Sequence, residues 1–222
     1  MDRHCAGTIE VQHSASMTVR PVGFDLDMTL IDSRPQILAS FRALGEDTGV
    51  AIDLDSVDER LGLKLEDELG YWFPPSGIDA AAAIYRRHYL VLAARSSALP
   101  GAHDALAAVR SAGARSAIIT AKHQISVEPC LAAAGLKADD VFSFVHGPEK
   151  ADVIQRIGAA VYVGDTPDDM AAAVAGGALA IGVTTGSFTG LELRDAGAFT
   201  TLETLEGFPS CYESLPVHGI TG

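Results

Sequence analysis

The chain has 222 residues, of which 48% are hydrophobic, and a formal net charge of -13. That length supports one large domain, or a core carrying a smaller insert. The negative field disfavours nucleic acid and anionic membranes as partners, so an anionic small ligand needs a local cluster of cations. Cys5, Cys130 and Cys211 are too few and too widely spaced for a disulfide framework or a zinc knuckle. No apolar run approaches the ~20 residues of a membrane span, and the expected setting is the reducing cytoplasm.

Residues 1–18 are polar and aperiodic, and are expected to form a flexible extension ahead of the fold. Short β-rich apolar runs follow at Val22-Gly23-Phe24, Ala117-Ile118-Ile119, Val141 to Val145, Val161-Tyr162-Val163 and Leu179 to Val183. They predict buried strands. Alanine-rich helical patterns separate them: Ala102 to Arg110, Glu128 to Ala134, Ala151 to Ile157 and Asp168 to Ala175. Three of these stop at Gly113, Gly135 and Gly176. Strand and helix in alternation imply right-handed βαβ units and a doubly wound, mainly parallel Rossmann-like α/β sheet.

Residues 33–97 break the rhythm. Helical patterns occur there around Ile37 to Leu44, Lys64 to Tyr71 and Ala80 to Ala94, with Tyr85, Tyr89 and Leu92 on one face. The expected organisation is an α/β core over 19–32 and 98–222 with an inserted helical domain over 33–97. Pro74-Pro75-Ser76-Gly77 is its internal loop, and Pro100-Gly101 marks the return to the core.

The first strand runs into Asp25-Leu26-Asp27-Met28-Thr29. Carboxylates at alternate positions, where a buried strand emerges, can serve one site if the chain turns there. Two such close anions resist joint ionisation unless a cation lies between them. Magnesium suits that place, being hard and usually held by one or two carboxylates with water and phosphate. An Asx turn or helix cap is the alternative for an isolated motif. Three later features fall at strand ends, where open α/β sheets bind ligands. Thr120-Ala121 offers a hydroxyl and backbone amides for phosphate oxygens, Lys150 opens a helix and can neutralise phosphate or carboxylates, and Gly164-Asp165 delivers another acid. Asp168 and Asp169 follow one turn later, with Asp168 the expected helix cap.

Asp25-Leu26-Asp27-Met28-Thr29, Thr120, Lys150 and Gly164-Asp165-Thr166-Pro167-Asp168-Asp169 match, in order, four motifs of the haloacid dehalogenase superfamily, which the chain resembles from residue 22 to about 205. The position and helical character of the insert resemble the small cap of the phosphoglycolate phosphatase-like branch. The resemblance implies a magnesium-dependent phosphatase of small phosphorylated metabolites. Asp25 would be the nucleophile that forms an aspartyl-phosphate, and Asp27 the general acid and base. Thr120, Ala121 and Lys150 would bind the phosphoryl group. Asp25, Asp165 and the Asp27 backbone carbonyl would hold Mg2+, with Asp169 acting through water or by orienting ligands. The dehalogenase branch lacks an acid at the place of Asp27, which favours phosphoester hydrolysis. The family lysine often precedes a proline, whereas this one follows Pro148.

Substrate contacts in the insert are expected from Arg60 and Lys64, two cations around Gly62 able to meet a second anionic group. Tyr71-Trp72-Phe73 reads as packing, Arg86, Arg87 and His88 as a solvated face, and His123 as a loop residue. A phosphomutase is the closest alternative activity, and a non-catalytic binding module a more distant one. No G-x-G-x-x-G follows a strand and no G-x-x-x-x-G-K-[ST] occurs, which argues against dinucleotide oxidoreductases and P-loop enzymes. Monomer and homodimer are both open.

Overall fold

The computed structural model describes residues 19–216, so the extension expected over 1–18 lies outside the described residues. Six parallel strands form the central sheet: β1 (Val22–Phe24), β4 (Ser116–Ile119), β5 (Asp140–Phe142), β6 (Val161–Gly164), β7 (Leu179–Val183) and β8 (Thr200–Leu202). Their order is β5-β4-β1-β6-β7-β8. The chain winds outward from β1 to β4 and β5, then returns to the other side of β1 at β6. This reversal places a crevice at the carboxyl end of β1, between its two neighbours. It is the doubly wound α/β fold that the alternation of strands and helices predicts.

Helices α5 (Ala102–Ser111), α6 (Gln124–Ala134), α7 (Pro148–Ile157), α8 (Pro167–Ala175), α9 (Gly190–Asp195) and α10 (Phe208–Glu213) accompany the sheet. One apolar cluster joins Phe24, Ile118, Val161 and Val163 to Phe208 and Tyr212. A second, around Ile119, Tyr162, Ile154 and Met170, forms separately. Gly23 in the central strand is required by this second cluster, because a Cβ there would lie 2.7 Å from the Tyr162 ring. The missing side chain lets Tyr162 lie flat enough to donate from its hydroxyl to Ile119 O at 3.0 Å.

Between β2 (Ile31–Asp32) and β3 (Ser97–Ala98) lie α1 (Arg34–Thr48), α2 (Leu54–Glu59), α3 (Leu65–Leu69) and α4 (Ile78–Ala93). The two short strands pair antiparallel, Ile31 with Ala98 and Asp32 with Ser97, and so tie together both ends of the inserted helices. Phe41, Leu44, Tyr85 and Tyr89 bury into the same cluster as Phe24 and Ile118. Among the described residues no helix is long and apolar enough to cross a membrane.

Several local expectations change. The strand expected over 141–145 is β5, which ends at Phe142; Phe144 has φ +61, a left-handed conformation that cannot continue a ladder. Helix α6 starts at Gln124 rather than Glu128 and carries Pro129 inside it. The lost N–H is offset by burial of Val127, Cys130 and Leu131. Helix α2, capped by Asp53 through the Asp55 amide, is too short to show apolar periodicity.

Candidate active site

Asp25 follows β1 directly, and its amide donates to Val163 O at 2.8 Å, which fixes the strand end against β6. The chain then turns sharply. Met28 adopts a left-handed φ of +57, its amide bonds Ile31 O, and the amides of Leu30 and Ile31 both donate to Leu26 O. Thr185 reaches in from beyond β7 and donates its hydroxyl to Met28 O. This loop carries Asp25 into the crevice and leaves Asp27 on the side of the inserted helices.

Lys150 meets Asp25 from across the sheet. It sits in the first turn of α7, behind Pro148, and its ammonium donates to Asp25 Oδ1 and Asp169 Oδ1, each at 2.7 Å. Placement in that turn thus carries the lysine to the carboxylates although it follows a proline instead of preceding one. Asp169 is held from several sides: Tyr162 approaches its Oδ1 at 3.3 Å, and Thr166 closes a capping box on its Oδ2. The helix cap is therefore Thr166, with Asp169 as its reciprocal partner. Asp168, the expected cap, is exposed in the first turn because the T-x-x-D spacing places the reciprocal acid three residues after the threonine.

Asp25, Asp165 and Asp169 each present a carboxylate oxygen within 4.8 Å of the others, and all three are buried. Thr29 donates to Asp165 Oδ1 at 3.1 Å. Burial, only partly countered by Lys150 and reinforced by Asp169 and Asp27, pushes the Asp25 carboxyl up to about 7. Burial and the neighbouring Asp169 and Asp25 also hold Asp165 well above the usual carboxylate range. Burial opposes the Lys150 ammonium, but Asp169 and Asp25 outweigh it and keep it charged well above the ordinary lysine range. Three buried acids facing one lysine leave negative charge that a hard divalent cation would neutralise. The all-oxygen donor set fits magnesium.

Thr120 follows β4 directly and is buried; its Oγ1 accepts from the Lys122 amide at 3.1 Å, which leaves its own proton to donate. Ala121 is exposed at the mouth of the crevice. Asp27, Ala121, Lys122 and His123 line one wall of a cavity of about 150 Å³, and the inserted helices supply the other. Arg60 and Lys64 both line it, but in different states. Arg60 is engaged by Glu68 through two bonds of 2.9 and 2.8 Å and stacks on Tyr71 at 4.2 Å. Lys64 is exposed and has no ion-pair partner among the described residues. Arg86 also lines the cavity, paired with Glu66, so it departs from the solvated face that Arg87 and His88 form with Asp47. His123 caps α6 and packs edge-on against Phe144.

Three participants escape sequence reading. Lys122 is half-buried, its side chain largely shielded and its ammonium 2.8 Å from Asp27 Oδ1; its only sequence signal is a place two residues after Thr120. Tyr162 looks like any strand aromatic. Gly186 reads as a loop glycine, yet a Cβ there would lie 2.0 Å from Asp165 Oδ2.

Residues 22–183 match the family of haloacid dehalogenase-like hydrolases. Phosphoglycolate phosphatase of Neisseria meningitidis serogroup A is 29% identical over 228 aligned positions, covering 89% of this chain and 94% of that protein. The plasmid phosphoglycolate phosphatase of Cupriavidus necator is 31% identical, covering 74% and 80%. Among solved structures, a haloacid dehalogenase-like family hydrolase from Streptococcus pneumoniae shares the fold with a TM-score of 0.77 at 20% identity, over 87% of this chain and 98% of that one. The chain belongs to the haloacid dehalogenase-like hydrolase family. Within it, its enzyme class is that of the phosphatases.

Proposed function

We propose that the protein is a magnesium-dependent phosphatase of small phosphorylated metabolites that works through an aspartyl-phosphate on Asp25. The observation that carries this reading is the Lys150 ammonium, bonded at 2.7 Å to both Asp25 and Asp169 in a buried cluster of three carboxylates. A carboxylate so placed is oriented for attack, and the charge around it favours a phosphate accompanied by a divalent cation.

The Asp25 carboxylate forms a bond to phosphorus as the bond to the leaving oxygen breaks, and Asp27 gives that oxygen its proton. Water then attacks the same phosphorus, Asp27 takes the proton, and the bond to Asp25 breaks, which releases phosphate. Lys150 and the Thr120 hydroxyl stabilise the transferring group, with the backbone at Ala121 beside them. Asp25 and Asp165, with the Asp27 carbonyl, would hold magnesium; Asp169 keeps Lys150 in place. Magnesium supplies compensation of phosphate charge and orientation of its oxygens. The inserted helices of residues 33–97 act as a cap that shields this chemistry from bulk water. Among the described residues Cys130 and Cys211 are free cysteines, and the setting proposed with this activity is the cytoplasm.

A screen of phosphoglycolate, sugar phosphates, nucleotides and pyrophosphate with magnesium tests the reading. Release of phosphate that is lost on chelation and in Asp25→Asn supports it, whereas undiminished turnover in Asp25→Asn overturns the mechanism. Transfer of phosphate to a second sugar hydroxyl, without its release, would identify a mutase instead.

A further inference from the structure

The cavity beside Asp27 receives whatever leaves from phosphorus, because Asp27 stands on its wall and would protonate the departing oxygen. Its lining is apolar over most of its area: Ile37 and Phe41 from α1, Leu61 and Leu65 around α3, and Tyr85 and Tyr89 from α4. The cations on that lining are largely committed. Arg60 is held by two oxygens of Glu68, which itself is buried and also accepts from Trp72 Nε1 at 3.0 Å. Arg86 is paired with Glu66, and Lys122 with Asp27. Of the four cations Arg60, Lys64, Arg86 and Lys122, Lys64 is the one without an ion-pair partner among the described residues, at a solvated helix start. An anion entering this space would lose its hydration and gain at most one exposed ammonium. The wall also offers neutral polar groups, the Tyr85 and Tyr89 hydroxyls, Ser126 and two histidines, and of these His146 is the one with a buried ring nitrogen left unsatisfied among the described residues. His146 Nε2 is buried with no hydrogen-bond partner among the described residues, and burial together with nearby Lys64 holds the ring below its ordinary pKa, hence uncharged near neutrality.

We infer that the leaving alcohol of the substrate is uncharged and carries an apolar ring or branched body that fills this cavity, with a single neutral polar atom placed for His146. This rests on the phosphatase reading above and narrows it. It also sets aside a second anionic group as the partner of Arg60 and Lys64, because the carboxylate that Arg60 would seek is already supplied by Glu68. Selection then comes from buried apolar area and from the absence of a free guanidinium.

The test compares kcat/KM of the magnesium-loaded protein on benzyl phosphate, 4-carboxybenzyl phosphate and phosphoglycolate, with p-nitrophenyl phosphate as a further phosphomonoester. Benzyl phosphate is expected to exceed both carboxylated compounds by about tenfold or more. Glu66→Gln, with its fold checked by thermal melting, releases Arg86 and should shift the ratio at least about threefold toward 4-carboxybenzyl phosphate. Equal efficiency, a preference for either carboxylated compound, or an unchanged ratio in folded Glu66→Gln overturns the inference while p-nitrophenyl phosphate turnover keeps the phosphatase reading intact. No release from any of the four compounds removes that reading and this inference together.

Discussion

Lys122 Nζ lies 2.8 Å from Asp27 Oδ1 and donates to the Tyr89 hydroxyl at 2.6 Å, with its charge 4.0 Å above the Tyr89 ring. One ammonium therefore links the proposed acid on the core to an aromatic residue of the inserted helices. If Lys122 positions Asp27, its loss should matter most where the leaving group needs a proton. Lys122→Met is expected to lower kcat on alkyl phosphates by about 10 to 100-fold. On p-nitrophenyl phosphate, whose leaving group departs as an anion, the loss should be several-fold smaller. Equal losses on both substrates would assign Lys122 to packing alone, and Lys122→Arg should recover part of the alkyl rate.

How much of this was legible beforehand depends on the range of the contact. The parallel sheet follows from runs such as Val161-Tyr162-Val163, whose apolar character is a local property, and the carboxylates sit where those runs end. Lys122, Tyr162 and Gly186 are invisible because each acts through a partner far away in sequence, and their local patterns are those of an ordinary lysine, strand aromatic and loop glycine. Arg60 shows the converse. Its charge and place are plain in the sequence, but its neutralisation by Glu68 depends on how a five-residue helix turns, which no periodicity encodes.

Asp25→Asn should abolish turnover, by on the order of 10³-fold or more, since an amide can neither attack phosphorus usefully nor carry charge. Lys150→Met should come close to that loss for a different reason: it leaves Asp25 and Asp169 buried without their shared ammonium. The two differ in stability. Asn removes a destabilising buried charge and should melt at or above wild type without metal, whereas Lys150→Met should melt lower. A lower melting temperature for metal-free Asp25→Asn than for Lys150→Met would contradict the arrangement of charges.

The same cluster makes the metal-free protein sensitive to pH. The Asp25 carboxyl titrates near 7 in the fold and near 3.9 in the unfolded chain, so between those values the folded state holds more protons. Stability from this group is fully present below about pH 4 and is lost as pH rises through about 7. Asp165 is shifted in the same direction. Asp47, Asp53 and Asp139 are shifted downward and titrate below this window. His146 contributes equally to wild type and variant. The difference in urea midpoint between chelator-treated wild type and Asp25→Asn should therefore widen, in favour of the variant, from pH 5 to pH 8. Saturating magnesium should reduce or reverse that difference, and a gap that narrows with rising pH in the metal-free protein would refute the assignment.

Gly186 separates the carboxylate cluster from the stability of the fold. Its backbone is not in the left-handed region, so alanine is conformationally acceptable there, but the added Cβ would lie 2.0 Å from Asp165 Oδ2. Asp165 must then rotate away from Asp25 and Asp169, breaking its bond from Thr29. Gly186→Ala is expected to weaken magnesium binding about 10 to 100-fold, as measured by calorimetry, because a displaced ligand costs more than a lost neighbour. The clash is confined to a carboxylate that carries unfavourable charge in the metal-free state, so the melting temperature without metal should change little. Unaltered magnesium affinity in this variant would mean that Asp165 is not a ligand.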